Sequence, residues 1–150
     1  MNLIDMNQID SLTAKIASDR VFYLAPEVVE EYSILARTPG RYPKYLRQIS
    51  DVRYFDEAKY LKFYQICLNE MSGRSFFNLT GLGDVSIVAT LMTIRECFAE
   101  IAASELFDPT EIITVFTADV GLRKRIESRF GRNEVKIEII TDSSLEDGRA

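Results

Sequence analysis

The residues of this chain best placed for chemistry are acids that closely follow apolar, strand-like runs. Asp5 ends an apolar run at the start of the chain, and Asp119 follows the clearest apolar, β-branched run, residues 112–117. In an open parallel sheet, residues just beyond the carboxyl ends of the strands converge on one crevice. The positions of Asp5 and Asp119 therefore predict that they share a site.

Helix phase places two further acids. Asp84 precedes the apolar stripe that begins with Ile87 and Val88, at a spacing that turns it to the inner side of a long helix. Glu31 borders the apolar stripe of an earlier helix, whereas Glu27 and Glu30 point away from that stripe. On the long helix, the residues expected to face outward are Ser86, Thr90, Thr93 and Glu100.

Four carboxylates in one crevice need a proton or a cation, because two like charges about 4 Å apart repel by several kcal/mol. The chain has no histidine, which excludes Ser–His and Cys–His nucleophiles and the usual zinc sites. Oxygen ligands alone favour Mg²⁺ or Mn²⁺ and phosphoryl chemistry. Taken singly, Asp84 and Asp119 also suit helix caps.

Short apolar runs alternate with helical patterns along the chain. Strand-like runs cover residues 2–5, 21–24, 112–117 and 135–140, the last with an edge-strand pattern. Helical patterns cover 7–18, 27–36, 56–71, 84–106 and 119–130, and Gly81 and Gly83 indicate a loop before the long helix. The alternation predicts one α/β domain, residues 1–141, with a mostly parallel sheet and a polar tail over residues 142–150.

Four segments resemble, in order, motifs of the PIN domains, a family of small metal-dependent ribonucleases. Residues 3–7 are similar to the opening strand with its Asp-Thr-Asn or Asp-Thr-Ser motif, and residues 25–32 to the helix that carries a glutamate, here Glu31. Residues 83–89 and 113–119 are similar to the third and fourth acidic motifs. The resemblance covers about residues 2–140 and implies a three-layer α/β/α fold around a short-stranded sheet.

The resemblance also implies a function and partners. Asp5, Glu31, Asp84 and Asp119 would be catalytic residues that bind one or two Mg²⁺ or Mn²⁺ ions, and a metal-activated water would hydrolyse an RNA phosphodiester bond. Asn7 and Thr117 would hold the carboxylates by hydrogen bonds. Many small members are toxins of toxin–antitoxin pairs, so an antitoxin or other regulatory protein and a homodimer are expected partners.

Departures from the family pattern leave other interpretations open. Met6 replaces the usual small hydroxyl residue, and Gly121 stands where many members carry a fifth acid. Both features favour a non-catalytic PIN-like module that binds protein or RNA. A metal-dependent phosphatase or phospho-acceptor domain ranks last, because Asn7 stands where it would need a second acid.

Two locally basic stretches are candidates for RNA binding. Residues 37–53 interleave one lysine and four arginines with Tyr42 and Tyr45, and the helix after Asp119 is rich in arginine. Cations for phosphates and aromatic rings for stacking are what single-stranded RNA binding uses. A solvated surface explains the cations of the helix slightly better than RNA binding does, and those of residues 37–53 equally well. The candidates are Arg41, Lys44, Arg47, Arg123 and Lys124.

The remaining signals concern the compartment. Cys67 and Cys97 lie in apolar helical patterns, as free buried thiols do in a reducing compartment. No signal-peptide pattern is visible, and no apolar run approaches the length of about 18 residues that a membrane helix needs. We therefore expect a cytoplasmic protein without a membrane partner.

Overall fold

The computed structural model describes residues 1–36, 42–72, 81–103 and 112–140. Within these ranges the chain forms five strands and six α-helices, an α/β architecture compatible with three α/β/α layers. In chain order they are β1 (Asn2–Ile4), α1 (Met6–Ile9), α2 (Ala14–Ala17), β2 (Phe22–Leu24), α3 (Pro26–Ala36), β3 (Leu46–Gln48), α4 (Glu57–Ser72), α5 (Gly81–Ala103), β4 (Ile113–Phe116), α6 (Val120–Arg129) and β5 (Val135–Glu138).

The sheet is parallel throughout, in the order β3-β2-β1-β4-β5. The chain adds β2 and β3 on one side of β1, and then β4 and β5 on the other side. The strand order therefore reverses between β1 and β4, and in such sheets the crevice for ligands opens at the carboxyl ends of those two strands. Asp5 and Asp119 lie at these carboxyl ends, directly after β1 and shortly after β4.

Helix α5 is buried on nearly all sides along its first half. It packs along α4 and also contacts α3 and α6. Glu100 is exposed as expected, but the prediction was wrong for Ser86, Thr90 and Thr93, which are each 0% exposed. Because α4 packs against the side of α5 that the sequence predicts to face water, this part of α5 lies inside the molecule.

Several element boundaries differ from the sequence prediction. Helix α5 begins at Gly81, so both glycines lie in its first turn and not in a loop. The helical pattern over residues 7–18 forms two short helices, and β3 was not predicted at all. The edge position of β5 is confirmed.

Other predictions concern the thiols, the tail and the membrane. Cys67 and Cys97 are free and buried, as expected. The 142–150 tail and Arg41 lie outside the described residues. In the described part of the chain, we find no helix with the length and apolar character that a membrane crossing requires.

Candidate functional site

Asp5 is fixed at the carboxyl end of β1 by a set of short contacts. Its Oδ1 accepts the backbone N–H of Met6 at 2.8 Å, and its Oδ2 accepts the Thr117 hydroxyl at 2.8 Å and Asn7 Nδ2 at 3.2 Å. The side chain is buried, and burial raises its pKa, against the lowering effect of the Thr117 and Met6 hydrogen bonds. Asp5 is therefore a rigidly held acid in the crevice.

Thr117 links Asp5 to Asp119. Its hydroxyl donates to Asp5 and accepts the backbone N–H of Asp119 at 3.0 Å. Asp119 caps α6, with Oδ1 accepting the N–H of Leu122 at 3.1 Å. Asn7 closes the same loop, because its Oδ1 accepts the N–H of Ala118 at 3.2 Å. The cap interpretation of Asp119 is thus correct, and the capping oxygen leaves the second oxygen of that carboxyl for other contacts.

Asp84 lies in the first turn of α5 and is the most perturbed acid of the group. Burial raises its pKa to about 7, helped by the charges of Asp119, Asp5 and Glu31 and by a hydrogen bond with the Asp119 side chain. A hydrogen bond between two carboxyls needs a proton on one of them, which is why this contact also raises the pKa of Asp84. The charges of the other three acids therefore all act on Asp84 and raise its pKa.

Glu31 joins the group from α3. Burial raises its pKa first, followed by the charges of Asp5 and Glu27. Its carboxyl rests against the backbone of α5: a Cβ placed on Gly83 would lie 2.5 Å from Glu31 Oε1 and 3.3 Å from Cδ. Gly83 provides the space for this approach.

The fold thus brings Asp5, Glu31, Asp84 and Asp119 within electrostatic reach of one another at the point where the strand order reverses. The atoms that these side chains could offer to a metal are all carboxylate oxygens, which are the ligands that Mg²⁺ and Mn²⁺ prefer. As they stand, no three Asp, Glu, Cys or His side chains of the described residues form a group arranged to hold a metal ion. The raised pKa of Asp84 favours its neutral form, which relieves part of the repulsion among the four carboxyls.

Glu27 lies nearer to this group than its helix phase suggested. Its charge raises the pKa of Glu31 and also contributes to the raised pKa values of Tyr60 and Tyr64, both dominated by burial. Glu27 and Glu31 are one helical turn apart, and that i,i+4 spacing was the available signal. The second missed residue is Ser86, whose Oγ accepts the N–H of Glu27 at 3.1 Å and lies 2.7 Å from the Tyr60 hydroxyl.

The basic candidates are not all beside the acids. Lys44 precedes β3 and therefore lies toward the amino ends of the strands, the opposite edge of the sheet from Asp5. Arg47 is exposed on β3. Arg123 and Lys124 are exposed near the start of α6, next to Asp119, and Arg123 Nε contacts Glu127 Oε1 at 3.0 Å.

Comparison with known proteins returns no relative: no family model, no curated protein and no solved structure matches this chain. The resemblance to PIN domains therefore rests on the chain's own residues and their order.

Proposed function

We propose that this chain is a PIN-like, metal-dependent endoribonuclease that holds Mg²⁺ or Mn²⁺ with Asp5, Glu31, Asp84 and Asp119. The observation that carries the proposal is the raised pKa of Asp84, about 7, to which the other three acids all contribute. Carboxyls in such a group are stable at neutral pH only when they keep a proton or gain a cation. A purely structural cap requires neither.

A bound ion would supply charge for the phosphate and lower the pKa of a water molecule. Hydrogen bonds within the chain already hold one of the proposed ligands in position. Thr117 and Asn7 hold the Asp5 carboxylate in one orientation. Asp84 would have to lose its proton to serve as a ligand, since metal ligands bind in their deprotonated form. Exposed Arg123 and Lys124, near the start of α6, are the best-placed candidates to meet an RNA backbone.

The missing hydroxyl at Met6 weakens this proposal less than the sequence suggests. A hydroxyl does lie beside the first acid, because Thr117 reaches Asp5 Oδ2 from the end of β4. Gly121 remains without a carboxylate, and a Cβ placed there would lie 3.2 Å from Asp119 Oδ1. We therefore favour a site completed by Glu31 and Asp84 without a fifth acid at position 121.

The proposal extends to a biological setting. A small endoribonuclease of this type is suited to act as a toxin that a regulatory protein, an antitoxin, holds inactive, and a homodimer fits the same setting. A short neighbouring reading frame whose product binds this chain and blocks RNA cleavage would support that extension, and a chain that needs no inhibitor in the cell would contradict it.

The decisive test is Asp84→Asn. With Mn²⁺ or Mg²⁺ present, we expect cleavage of single-stranded RNA to fall by orders of magnitude, because the neutral amide cannot serve as an anionic ligand. Asp51→Asn is the matched control, since Asp51 is exposed on the short 3-10 turn after β3. Wild-type cleavage rates in a folded Asp84→Asn variant would refute the proposal.

The second candidate is a non-catalytic binding module. It is favoured by Gly121 and by the present arrangement of the described acidic, Cys and His side chains, no three of which form a metal-holding group. Titration calorimetry with Mn²⁺ separates the two candidates. Saturable binding that is lost in Asp84→Asn supports the nuclease, and no heat at millimolar metal supports the module.

A further inference from the structure

Helices α3 and α5 meet beside the acids through two contacts. Near the start of α3, the backbone N–H of Glu27 donates to Ser86 Oγ at 3.1 Å. One turn further along α3, the carboxyl of Glu31 lies against Gly83, which precedes Ser86 on α5. The two helices therefore run antiparallel here, and the Ser86 contact fixes which residue of α5 Glu31 meets.

The backbone conformation at Gly83 does not require a glycine. Its φ lies outside the left-handed region, and it stands in the first turn of a helix, where alanine forms helix more readily. An alanine at this position would instead fill the space that the Glu31 carboxyl occupies, because the alanine Cβ would lie 2.5 Å from Glu31 Oε1. That atom ends a flexible side chain, so the carboxyl would move while the helix stayed in place.

We propose that Gly83 is a positioning residue, whose missing side chain is what lets the Glu31 carboxyl reach the group of Asp5 and Asp84. Part of this inference rests on the proposed function, since it expects Glu31 to serve as a ligand there. The contact between Gly83 and Glu31 itself belongs to the metal-free protein and is testable without any activity.

The chain offers a matched control two residues away. Gly81 lies in the same helical turn, and a Cβ placed on it would meet nothing within 4 Å. We expect Gly81→Ala and Gly83→Ala both to be at least as stable as the wild type in urea unfolding. Only Gly83→Ala should weaken Mn²⁺ binding, by about 10- to 100-fold, the usual effect of misplacing a ligand's support.

A double-mutant cycle assigns that loss to Glu31. Glu31→Gln should weaken Mn²⁺ binding in the wild-type background but change little in the Gly83→Ala background, because the carboxyl has already left the site. Additive losses would overturn the inference. A Gly83→Ala variant that binds Mn²⁺ like the wild type would also overturn it. An unfolded Gly83→Ala variant would do the same, because it would show that the added methyl group displaces the helix and not the Glu31 side chain.

A nuclear Overhauser measurement on the metal-free protein separates this inference from the proposed function. We expect a cross-peak between Gly83 Hα and Glu31 Hγ in the wild type and in Gly81→Ala. If the cross-peak is present and wild-type protein binds no Mn²⁺, the proposed function fails while the Gly83 contact stands. If the cross-peak is missing in the wild type, the positioning role is refuted whatever metal binds.

Discussion

At the scale of single residues, Thr117 is the side chain that connects Asp5 to Asp119. Burial raises the pKa of Asp5, and the Thr117 hydroxyl bond is the largest effect that opposes it. The same oxygen accepts the backbone N–H of Asp119, so one buried hydroxyl holds both the Asp5 carboxyl and the backbone that carries Asp119. Asp5 and Asp119 are thus connected through the Thr117 hydroxyl as well as through the charges of their carboxyls.

Replacing this hydroxyl by a methyl group should therefore affect both acids. We expect Thr117→Val to raise the pKa of Asp5 further, to weaken Mn²⁺ binding by about 10- to 100-fold and to lower the free energy of unfolding by about 1–3 kcal/mol. The pKa is read by carbon-detected NMR titration, and the affinity by calorimetry. Thr117→Ser keeps the hydroxyl and is the control; equal effects of Val and Ser would point to lost packing and contradict this role.

At the scale of elements, α5 shows where sequence patterns succeed and where they stop. The inward direction of Asp84 follows from its spacing to Ile87 and Val88, and the structure buries that side. The burial of Ser86, Thr90 and Thr93 does not follow from an apolar stripe, because it depends on α4 packing from the other side. The overlooked signal is that α5 has no charged residue between Asp84 and Arg95, which is typical of a helix covered all round.

Strand β3 shows a different limit. Its three residues, Leu46, Arg47 and Gln48, contain one apolar side chain, and only Leu46 is buried. No periodicity can be read from so short a segment. The strand exists because its backbone pairs in register with β2, a non-local interaction that a sequence pattern does not contain. The candidate acids were predictable because strand ends and helix phase are local features, whereas the contacts of Ser86 depend on how α3 and α4 pack against α5.

Helix α5 also supplies a matched pair of buried threonines. The Thr93 hydroxyl donates to the Ala89 carbonyl at 2.7 Å, whereas the Thr90 hydroxyl has no hydrogen-bond partner in the structure as described. We expect Thr90→Val to raise the free energy of unfolding by about 1 kcal/mol, because it removes a buried polar atom at constant shape. Thr93→Val should be neutral or cost up to about 1 kcal/mol. Urea unfolding of both variants checks this, and a Thr90→Val loss as large as that of Thr93→Val would contradict it.

At the scale of the whole molecule, charge is distributed by the topology. The formal net charge at pH 7 is −5, and the four acids of the crevice, each counted as ionised, account for −4 of it, which leaves −1 for the rest of the chain. The order β3-β2-β1-β4-β5 collects Asp5 and Asp119 at one edge of the sheet, and the two helices bring Glu31 and Asp84 to the same place. The stability of the metal-free protein should therefore depend on the protonation of this one group.

The sign of that dependence follows from the raised pKa of Asp84. Its pKa is about 7 in the folded chain against an ordinary value of 3.8, so between these pH values the folded chain holds a proton that the unfolded chain has released. The free energy of unfolding is then highest below the unfolded pKa and falls as the pH rises through the folded pKa, by up to about 1.4 kcal/mol per pH unit for one proton. Asp5 and Glu31, whose pKa values are also raised, act in the same direction.

We therefore expect metal-free wild-type protein, in chelator, to lose stability to urea between about pH 4.5 and about pH 7.5. Asp84→Asn carries no titrating group at that position, so its stability should change much less over the same range, while Asp51→Asn should follow the wild type. Mn²⁺ added at the upper pH should restore the wild type and leave Asp84→Asn unchanged, because a cation replaces the proton only where the carboxylate exists. Parallel pH profiles for wild type and Asp84→Asn would show that Asp84 does not hold the proton.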